Sequence, residues 1–519
     1  MAGQQTSDGQ GSLSQKLITN TLFNVIGQAY TVLLGLMVVP YVVHRLGAGL
    51  YGLIALVAAL GGFAGLLNLG IGRSLAKYVS ELYWQSQYDR INTLFRTAFT
   101  ISVLAGAAGC TLLIVFRAPL AAALVHGSRS ATAYVNFAVV VTALGVLIAL
   151  PLDPLSVLPV ALQRFDISNR MSVLLSTVRN VGAVSVLALG FFFRGILVVY
   201  LFASVVALLG YVRYGRKLIP GFSLRPALNW SDLKRLMRFS APVLIAGVSA
   251  LAVHKLDRVL TAYFLPIAAV AFYVIPYSLA ERTVMGIGNI TSVIFPSASE
   301  LSSMRADDKI RELYIRATKM ALLAGLPVTI VLLAVPSQML CYWVGPEYAA
   351  RGALTLQLLA GGFLFNILAH VPYVVAQGIG RPWISARYSL MNGIANLVLF
   401  MLLIPRYGIV GAGAGFFASE AVVMPLFIRE VNRVLGVSWR ALIARSYVRP
   451  LACGTVTFCL LRFCRGYADS LAALVLTAGF ALAIFAALAL AGVVDRTERN
   501  GICRQAVGLF RWGGRLADV

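Results

Sequence analysis

The sequence predicts an all-α polytopic membrane protein of about 14 transmembrane helices, and three observations support this class. Of the 519 residues, 59% are hydrophobic and 12% are charged, whereas a soluble domain carries about 25% charged residues. Apolar runs of about 20 residues, each long enough to span the hydrocarbon core of a bilayer, recur along the chain. The alternating segments of about 10 residues that are typical of membrane β-strands are not evident.

Hydropathy divides the chain into fourteen candidate spans, taken in order. They are 18–43, 50–70, 97–116, 131–151, 171–193, 195–212, 239–256, 260–295, 318–336, 352–378, 383–404, 408–428, 449–464 and 470–494. The eighth is about 36 residues long, or about 54 Å as a helix, and exceeds the hydrocarbon core of about 30 Å. It contains Pro266 and Pro276, so we predict one long helix that bends.

An internal repeat organises these spans into two bundles. Gln163 and Gly195 in the first half correspond to Gln377 and Gly408 in the second, an offset of about 215 residues and an even number of spans, so both copies run the same way. The repeat predicts two pseudo-symmetric six-helix bundles plus two C-terminal helices. The predicted domains are a disordered cytoplasmic tail (1–16), the first bundle (17–212), a basic cytoplasmic connector (213–238), the second bundle (239–428), two additional helices (429–494) and a basic cytoplasmic tail (495–519).

The distribution of basic residues predicts the orientation. With the N-terminus in the cytoplasm, Lys and Arg residues in cytoplasmic segments outnumber those on the other side by about three to one, as the positive-inside rule requires. Both termini are therefore predicted to be cytoplasmic. Topology and attraction to anionic lipids of the inner leaflet account for most of the net charge of +24. No nucleic-acid partner is needed, and the connector is read as solvated and lipid-facing.

Charged residues inside predicted spans are the first candidate site residues. Arg179, beside Asn180, lies near the middle of the fifth span, and Glu281 and Arg282 interrupt the eighth. A charge that faces lipid at the bilayer centre costs at least about 2.5–3.5 kcal/mol, so a water-filled cavity is the favoured location. The alternatives are a snorkelling Arg282 and a structural partner such as Glu420 for Arg179. Guanidinium groups in a cavity predict an anionic cargo, because they bind phosphate oxygens in a bidentate manner.

Uncharged polar residues and further ionisable residues complete the candidate set. The polar ones, which either join helices or line a channel, are Asn24, Gln28, Asn289 and Asn392. The candidates for coupling to an ion are Glu281, Glu420, His370 and Asp257. Asp257 lies in a charged segment at the outer end of the seventh span, which either anchors the interface or gates the exit.

Signals of enzymatic activity and of metal binding are absent from the sequence. It contains no phosphate-binding loop, no G-x-S-x-G and no clustered metal-ligand set. Three cysteines between 453 and 464 have spacings that fit no usual zinc site. We therefore predict a protein that is not an enzyme and has no cofactor, with H⁺ or Na⁺ as a candidate coupling ion.

Several motifs, taken in order, are similar to those of a transporter family. They are VVPYVVHRLGAGLYGL (38–53), NLGIGRSLAKYVSE (68–81), VALQRFDISN (160–169), FPSASEL (295–301) and IPRYGIVGAGAGFFASE (404–420). Over roughly 17–465 the chain resembles the polysaccharide-transport branch of the multidrug/oligosaccharidyl-lipid/polysaccharide (MOP) flippase superfamily. That branch comprises the Wzx-like O-antigen and exopolysaccharide flippases.

The resemblance implies a fold, a cargo and partners. It implies a V-shaped pair of bundles that moves an undecaprenyl-pyrophosphate-linked oligosaccharide across the bacterial inner membrane by alternating access. Arg179 and Arg282 would hold the pyrophosphate or an acidic sugar, and Arg73 would lie at the cytoplasmic mouth. A glycan polymerase and a chain-length regulator are the candidate protein partners. The alternatives are a MATE-like ion-coupled small-molecule exporter, a membrane-embedded polysaccharide polymerase and a scaffold for glycan-assembly enzymes.

Overall fold

The computed structural model describes residues 5–68, 70–124, 129–238, 240, 255–285, 287–467 and 469–494. Within these ranges the regular secondary structure is entirely helical, with no β-strand. This confirms the predicted all-α class. Ten of the described helices are long and apolar enough to cross a membrane, in agreement with a multi-pass membrane protein.

Seventeen α-helices have described ends, and residues 230–238 are helical as well. In chain order the helices are α1 (Gln5–Ala64), α2 (Ile71–Trp84), α3 (Tyr88–Val115), α4 (Arg117–Leu124), α5 (Arg129–Ala161), α6 (Phe165–Ala188), α7 (Phe192–Leu218), α8 (Leu256–Phe264), α9 (Ile267–Met285), α10 (Ile287–Ser303), α11 (Asp307–Ala334), α12 (Pro336–Val344), α13 (Pro346–Gly378), α14 (Pro382–Leu435), α15 (Trp439–Leu442), α16 (Val448–Phe463) and α17 (Leu471–Gly492). Helix α1 begins inside the segment predicted as a tail. The predicted domain boundaries stay predictions.

Two glycines divide the two longest helices. Gly47 in α1 has φ 76° and ψ 168°, and Gly408 in α14 has φ 61° and ψ −139°. A residue with a Cβ is strained at such angles, so glycine marks the points where each helix breaks. The breaks separate the predicted spans 18–43 from 50–70 and 383–404 from 408–428.

The eighth predicted span differs most from the structure. It is not one continuous helix, since α8 ends at Phe264 and α9 begins at Ile267. Pro266 lies in the gap between α8 and α9, where its missing N–H and its ring disfavour a continuous helix. Helix α9 does continue through Pro276. The seventh predicted span, 239–256, lies almost wholly outside the described residues.

Helix-ending turns recur in both halves of the chain and support the internal repeat. Gln163 and Gly380 both have positive φ, and both turns have the two backbone hydrogen bonds of a Schellman motif. Ser86 and Arg305 form a second such pair. The paired turns are 217 and 219 residues apart. Gln163 therefore corresponds to Gly380 and not to Gln377, as the sequence alone predicted.

The chain folds into two compact units, Met1–Val274 and Ile275–Val519. Unit 1 has two apolar clusters. One packs α1 against α5, α6, α7 and α8, around Leu56, Val139 and Ile196. The other packs α2 against α3, α5 and the 230–238 helix, around Leu75 and Leu236. Both clusters contain residues of helices that are long enough to span a bilayer. The polar side chains of unit 1 therefore lie on helices that are packed against one another.

A large apolar cluster among the described residues of unit 2 includes residues of the additional helices. Helices α16 and α17 are attached to α11 by polar contacts at one end. Ser446 Oγ donates to the carbonyl of Ile315 at 2.8 Å, and Arg445 lies 2.8 Å from Glu312. The buried Lys319 ammonium donates to the carbonyl of Val493 at 3.4 Å, at the C-terminus of α17, where a cation is favourable. These helices are therefore an integral part of unit 2.

Candidate functional site

Helix α6 of unit 1 has two exposed faces of opposite character. Leu174 and Val181 are exposed on one side, while Ser172 and Arg179 are exposed on another. At 3.6 residues per turn, Arg179 lies about 140° from Leu174 and about 160° from Val181 around the helix. The apolar face suits lipid, and the polar face suits water or a polar ligand. Arg179 therefore projects from the side of α6 that is not apolar.

Short polar side chains accompany Arg179 along this face. The spacing Asn169, Ser172, Ser176, Arg179 follows the three-and-four rhythm of one helical stripe. The amide of Asn180 donates to the carbonyl of Ser176 at 2.9 Å, so Asn180 is held by its own helix. The Tyr200 phenol of α7 lies within electrostatic range of Arg179. A guanidinium, hydroxyls and a phenol thus share one polar surface of unit 1.

Helix α1 closes one edge of this surface. The hydroxyl of Tyr30 lies 2.9 Å from Thr177 Oγ1 on α6, and both side chains can donate or accept. Gly27 permits the close approach of the two helices, because a Cβ there would overlap the Asn169 amide. Gln28, the residue after Gly27, is exposed. The polar surface of unit 1 is therefore built from α1, α6 and α7, and we call it the Arg179 surface.

In unit 2, the neighbouring charges Glu281 and Arg282 differ in burial. Glu281 is exposed and Arg282 is half-buried, on α9 among buried neighbours such as Tyr277 and Ala280. Adjacent residues on a helix point in different directions. The different exposure of the Glu281 and Arg282 side chains agrees with this. Arg282 thus places a partly desolvated guanidinium in unit 2.

A second polar cluster of unit 2 surrounds Glu420. Its carboxylate is completely buried, and Oε1 accepts from Asn392 Nδ2 at 2.8 Å. Asn366 of α13 also donates to the carboxylate. Asn396 Nδ2 donates to the carbonyl of Asn392 at 3.0 Å. Three amides from α13 and α14 therefore enclose one carboxyl, and we call this the Glu420 cluster.

The Glu420 cluster contains more acceptors than donors. Glu420 Oε2 and Asn396 Oδ1 are buried without a hydrogen-bond partner among the described residues. A buried acceptor without a partner costs about 1–3 kcal/mol. One proton or one monovalent cation would satisfy this deficit. No group of three or more His, Cys, Asp or Glu side chains that could hold a metal occurs in the described ranges.

Comparison with known proteins identifies the family. A family described as polysaccharide biosynthesis protein matches residues 46–350, more than half of the chain. The chain belongs to this family. It is 23% identical over 405 residues to a protein of Shigella flexneri provisionally named an O-antigen transporter, covering 76% of this chain and 93% of that protein. It is 21% identical over 215 residues to a provisionally named low-salt glycan biosynthesis flippase of Haloferax volcanii, covering 41% and 45%.

Solved structures show that the fold is shared with MOP transporters. An inward-facing MATE family multidrug resistance transporter matches with a TM-score of 0.69 at 15% identity, over 78% of this chain and 94% of that one. The lipid II flippase MurJ matches with a TM-score of 0.68 at 13% identity, over 92% and 100%. The predicted resemblance to the MOP superfamily is confirmed. The relatives are named for transport and not for catalysis, which agrees with the prediction that this polysaccharide biosynthesis protein is not an enzyme.

The remaining predicted site residues lie on separate helices. Arg73 is exposed on α2, and His370 is half-buried on α13. Asp257 is buried at the start of α8, where Oδ1 accepts from the backbone N–H of Arg258 at 2.8 Å. The side chains of Asn24 and Asn289 lie outside the described residues.

Sequence reasoning assigned some of these residues without finding their partners. Asn392 was predicted to line a cavity, yet it is buried against Glu420. Glu420 was weighed as a partner for Arg179, whereas its observed partners are amides of its own unit. The polar stripe on α6 could have been found from its three-and-four spacing, but the contact between Asn392 and Glu420 joins residues 28 apart in sequence. That contact is evident only in the structure, where the two halves of α14 fold back on each other at Gly408.

Proposed function

We propose that this polysaccharide biosynthesis protein is a flippase for an undecaprenyl-pyrophosphate-linked oligosaccharide. It would carry the head group across the bacterial inner membrane by alternating access, for O-antigen or exopolysaccharide assembly. Both termini would lie in the cytoplasm. The observation that carries the proposal is the Arg179 surface, a cationic and hydroxyl-rich face on a membrane-spanning helix.

The chemistry of that surface suits a glycan pyrophosphate. Each sugar hydroxyl moved into hydrocarbon without a partner costs several kcal/mol, so transfer needs polar replacements for water. Ser172 offers such a group on the face of α6 that carries Arg179, and Tyr30 and Thr177 offer two more where α1 meets α6. A guanidinium binds pyrophosphate oxygens through paired charge-assisted hydrogen bonds. The names of the Shigella and Haloferax relatives support the same cargo class.

A MATE-like exporter of small molecules is the second candidate, favoured by the shared fold. An exporter of cationic compounds needs acidic groups on its polar surface, and Glu281 is exposed in unit 2. The guanidinium groups of Arg179 and Arg282 oppose cationic cargo. A membrane-embedded polymerase is the weakest candidate, since the relatives are named for transport.

The test uses two arginines on the same helix. Arg170 is exposed on α6, nine residues before Arg179 and about 180° away around the helix. In a strain that lacks the native protein, Arg179→Gln should lower the surface glycan at least about tenfold, the value of one lost charge-assisted hydrogen bond. Arg170→Gln should restore the glycan fully. Full restoration by Arg179→Gln at normal protein levels would overturn the proposed site.

Ion coupling forms a separate part of the proposal. We place the coupling proton on Glu420, because the Glu420 cluster lacks one hydrogen-bond donor. Glu281, His370 and Asp257 are the alternative coupling residues. A protonated carboxyl and its ionised form favour different packing of the two halves of α14, and this difference would link the ion to alternating access.

Proteoliposomes that contain the full-length protein and a fluorescent lipid-linked oligosaccharide test this coupling. A proton gradient should accelerate flipping by the native protein, and Glu420→Gln should remove the acceleration but retain basal flipping. Glu430→Gln is the matched control, since Glu430 lies on the same helix in a surface ion pair with Arg387 at 3.5 Å. If the acceleration persists in Glu420→Gln, Glu420 is not the coupling residue. Acceleration by a sodium gradient alone would exclude the proton.

A glycan polymerase and a chain-length regulator are the proposed protein partners, because a flipped repeat unit needs enzymes that extend it. Co-purification of either protein with the tagged full-length chain, after crosslinking in native membranes, is the expected result. Crosslinks that recover neither protein would contradict this partnership.

A further inference from the structure

The basic connector is fixed along α3 and is not a free loop. After a turn at 219–221, residues 222–229 have no regular secondary structure, and side chains of α3 bond backbone groups of the segment 219–229. The bonds are Asn92 Nδ2 to Pro220 O at 3.0 Å, Arg96 Nε to Arg225 O at 2.8 Å, Thr100 Oγ1 to Ala227 O at 3.2 Å, Ala227 N to Thr100 Oγ1 at 3.0 Å and Asn229 N to Thr97 Oγ1 at 3.2 Å. Phe222 packs on Phe95 with ring centroids 4.8 Å apart. The connector therefore has a defined position on unit 1.

These contacts place the connector at the depth where the membrane-spanning part of α3 begins. Thr97 lies nine residues after the start of α3, about 13 Å along its axis. The hydropathy prediction also starts the third span at residue 97. Leu228 and Trp230, on either side of Asn229, are thus held beside a lipid-facing helix at the membrane interface.

The helix 230–238 pairs antiparallel with α2. Ser240 Oγ donates to Ser74 Oγ at 3.0 Å, and Arg235 lies 3.8 Å from Glu81. These two contacts define an antiparallel register between the two helices: residue 240 pairs with residue 74, and residue 235 pairs with residue 81. Continued by about one turn, the register brings the end of α2, at Trp84, near the start of the 230–238 helix, at Trp230. Two tryptophans distant in sequence therefore lie at one edge of unit 1.

This edge combines exposed apolar groups with exposed cations. Trp84 is 76% exposed, Trp230 74% and Leu228 53%. Trp230, Lys234 and Arg238 follow each other at intervals of four on one face of their helix, while Leu236 is buried on another. The exposed basic residues of the segments 73–90 and 213–238 are Arg73, Lys77, Arg90, Arg213, Arg216, Lys217, Arg225, Lys234, Arg235 and Arg238. Exposed acidic residues in the same segments are Glu81 and Asp89.

We propose that this Trp84–Trp230 surface binds anionic phospholipids at the membrane interface. The indoles of Trp84 and Trp230 would enter the headgroup region, where tryptophan is favoured. Arg225, Lys234 and Arg238 would contact the lipid phosphates, to which basic juxtamembrane clusters are attracted. A cytosolic protein is the less favoured occupant, because the hydrogen bond from the Asn229 N–H to Thr97 Oγ1 holds the residue before Trp230 against α3, a helix long and apolar enough to cross a membrane.

The binding test uses the purified full-length protein in detergent, titrated with short-chain phosphatidylglycerol or phosphatidylcholine and followed by tryptophan fluorescence. Phosphatidylglycerol should produce a saturable change in the native protein, and phosphatidylcholine should bind far more weakly. The combined substitutions Arg225→Gln, Lys234→Gln and Arg238→Gln should weaken phosphatidylglycerol binding by more than about tenfold. The control removes the same charge from unit 2, with Arg429→Gln, Arg440→Gln and Arg449→Gln, and should leave binding unchanged.

A second measurement tests the tryptophans directly. In bilayer nanodiscs, phosphatidylglycerol with brominated acyl chains should quench native fluorescence more than it quenches Trp230→Phe. Trp383→Phe, which removes an exposed tryptophan of unit 2, should not reduce the quenching attributable to Trp230. Equal binding of both lipids, or phosphatidylglycerol binding unaffected by the loss of the three cations, would overturn the proposal and leave the surface to a protein partner. Neither measurement requires glycan transport, so the result is independent of the proposed cargo.

Discussion

At the scale of single residues, the side chain with the most constrained surroundings is Glu420. It has no exposed surface, its Oε1 accepts from the amide of Asn392, and its Oε2 has no hydrogen-bond partner among the described residues. An ionised carboxylate buried in this way needs a counter-charge, and no basic residue bonds to it within the described ranges. The proposed coupling proton would supply the missing donor, and the hydrogen bond between Asn392 and Glu420 joins the two halves of α14.

Substitutions at Glu420 should separate its charge from its hydrogen bonds. Glu420→Gln keeps the shape and an acceptor for Asn392 and adds two N–H donors, so thermal stability should stay close to that of the native protein. Glu420→Ala removes the acceptor and leaves a buried Asn392 donor unpaired, which should lower the free energy of unfolding by about 1–3 kcal/mol, with a further loss for the cavity.

Thermal unfolding of the purified protein, with detergent and lipid held constant, measures both variants. Asn392→Ala should destabilise the protein to an extent similar to Glu420→Ala, and the double variant should lose less than the sum of the two. Additive losses would show that the two side chains do not depend on each other.

At the scale of elements, each unit uses a glycine to turn one long helical segment into two spans. Gly47 and Gly408 adopt backbone angles that other residues reach only with strain. The sequence predicted the span pairs on both sides of these glycines because apolar runs identify spans well. It did not predict α2, α4 or α12, since short amphipathic helices depend on tertiary partners for their stability. It also did not reveal the docking of 219–229, which arises from hydrogen bonds between residues more than 120 apart.

The break in α1 can be tested with two neighbouring glycines. A Cβ added at either Gly47 or Gly49 would meet open space, so steric clashes do not distinguish them. Gly47 has positive φ, whereas Gly49 lies in regular helix. Gly47→Ala should lower the free energy of unfolding by about 1–3 kcal/mol, whereas Gly49→Ala should be neutral or stabilising by up to about 1 kcal/mol. Equal effects of the two substitutions in a denaturation assay would refute a strained break at Gly47.

At the scale of the whole molecule, the chain is a multi-pass membrane protein. The fold class and the MOP resemblance were predictable from the sequence, because hydropathy and ordered motifs are distributed over the entire chain. The candidate site was predictable only in part. Arg179 is conspicuous as a charge within an apolar helix, but the environment of Asn392 depends on how α13 and the halves of α14 pack. Hydropathy carries no information about such contacts.

The orientation itself can be decided with two positions at opposite ends of α7. Arg194 is exposed near its N-terminal end, and Lys217 is exposed in its last turn. The helix between them is about 35 Å long, enough to cross the hydrocarbon core. In a chain whose six native cysteines are replaced by alanine, Arg194→Cys should react with a membrane-impermeant maleimide in intact spheroplasts. Lys217→Cys should react only after the membrane is permeabilised, because the positive-inside rule assigns its dense basic segment to the cytoplasm. The reverse labelling pattern would invert the topology and, with it, the direction in which the proposed cargo is moved.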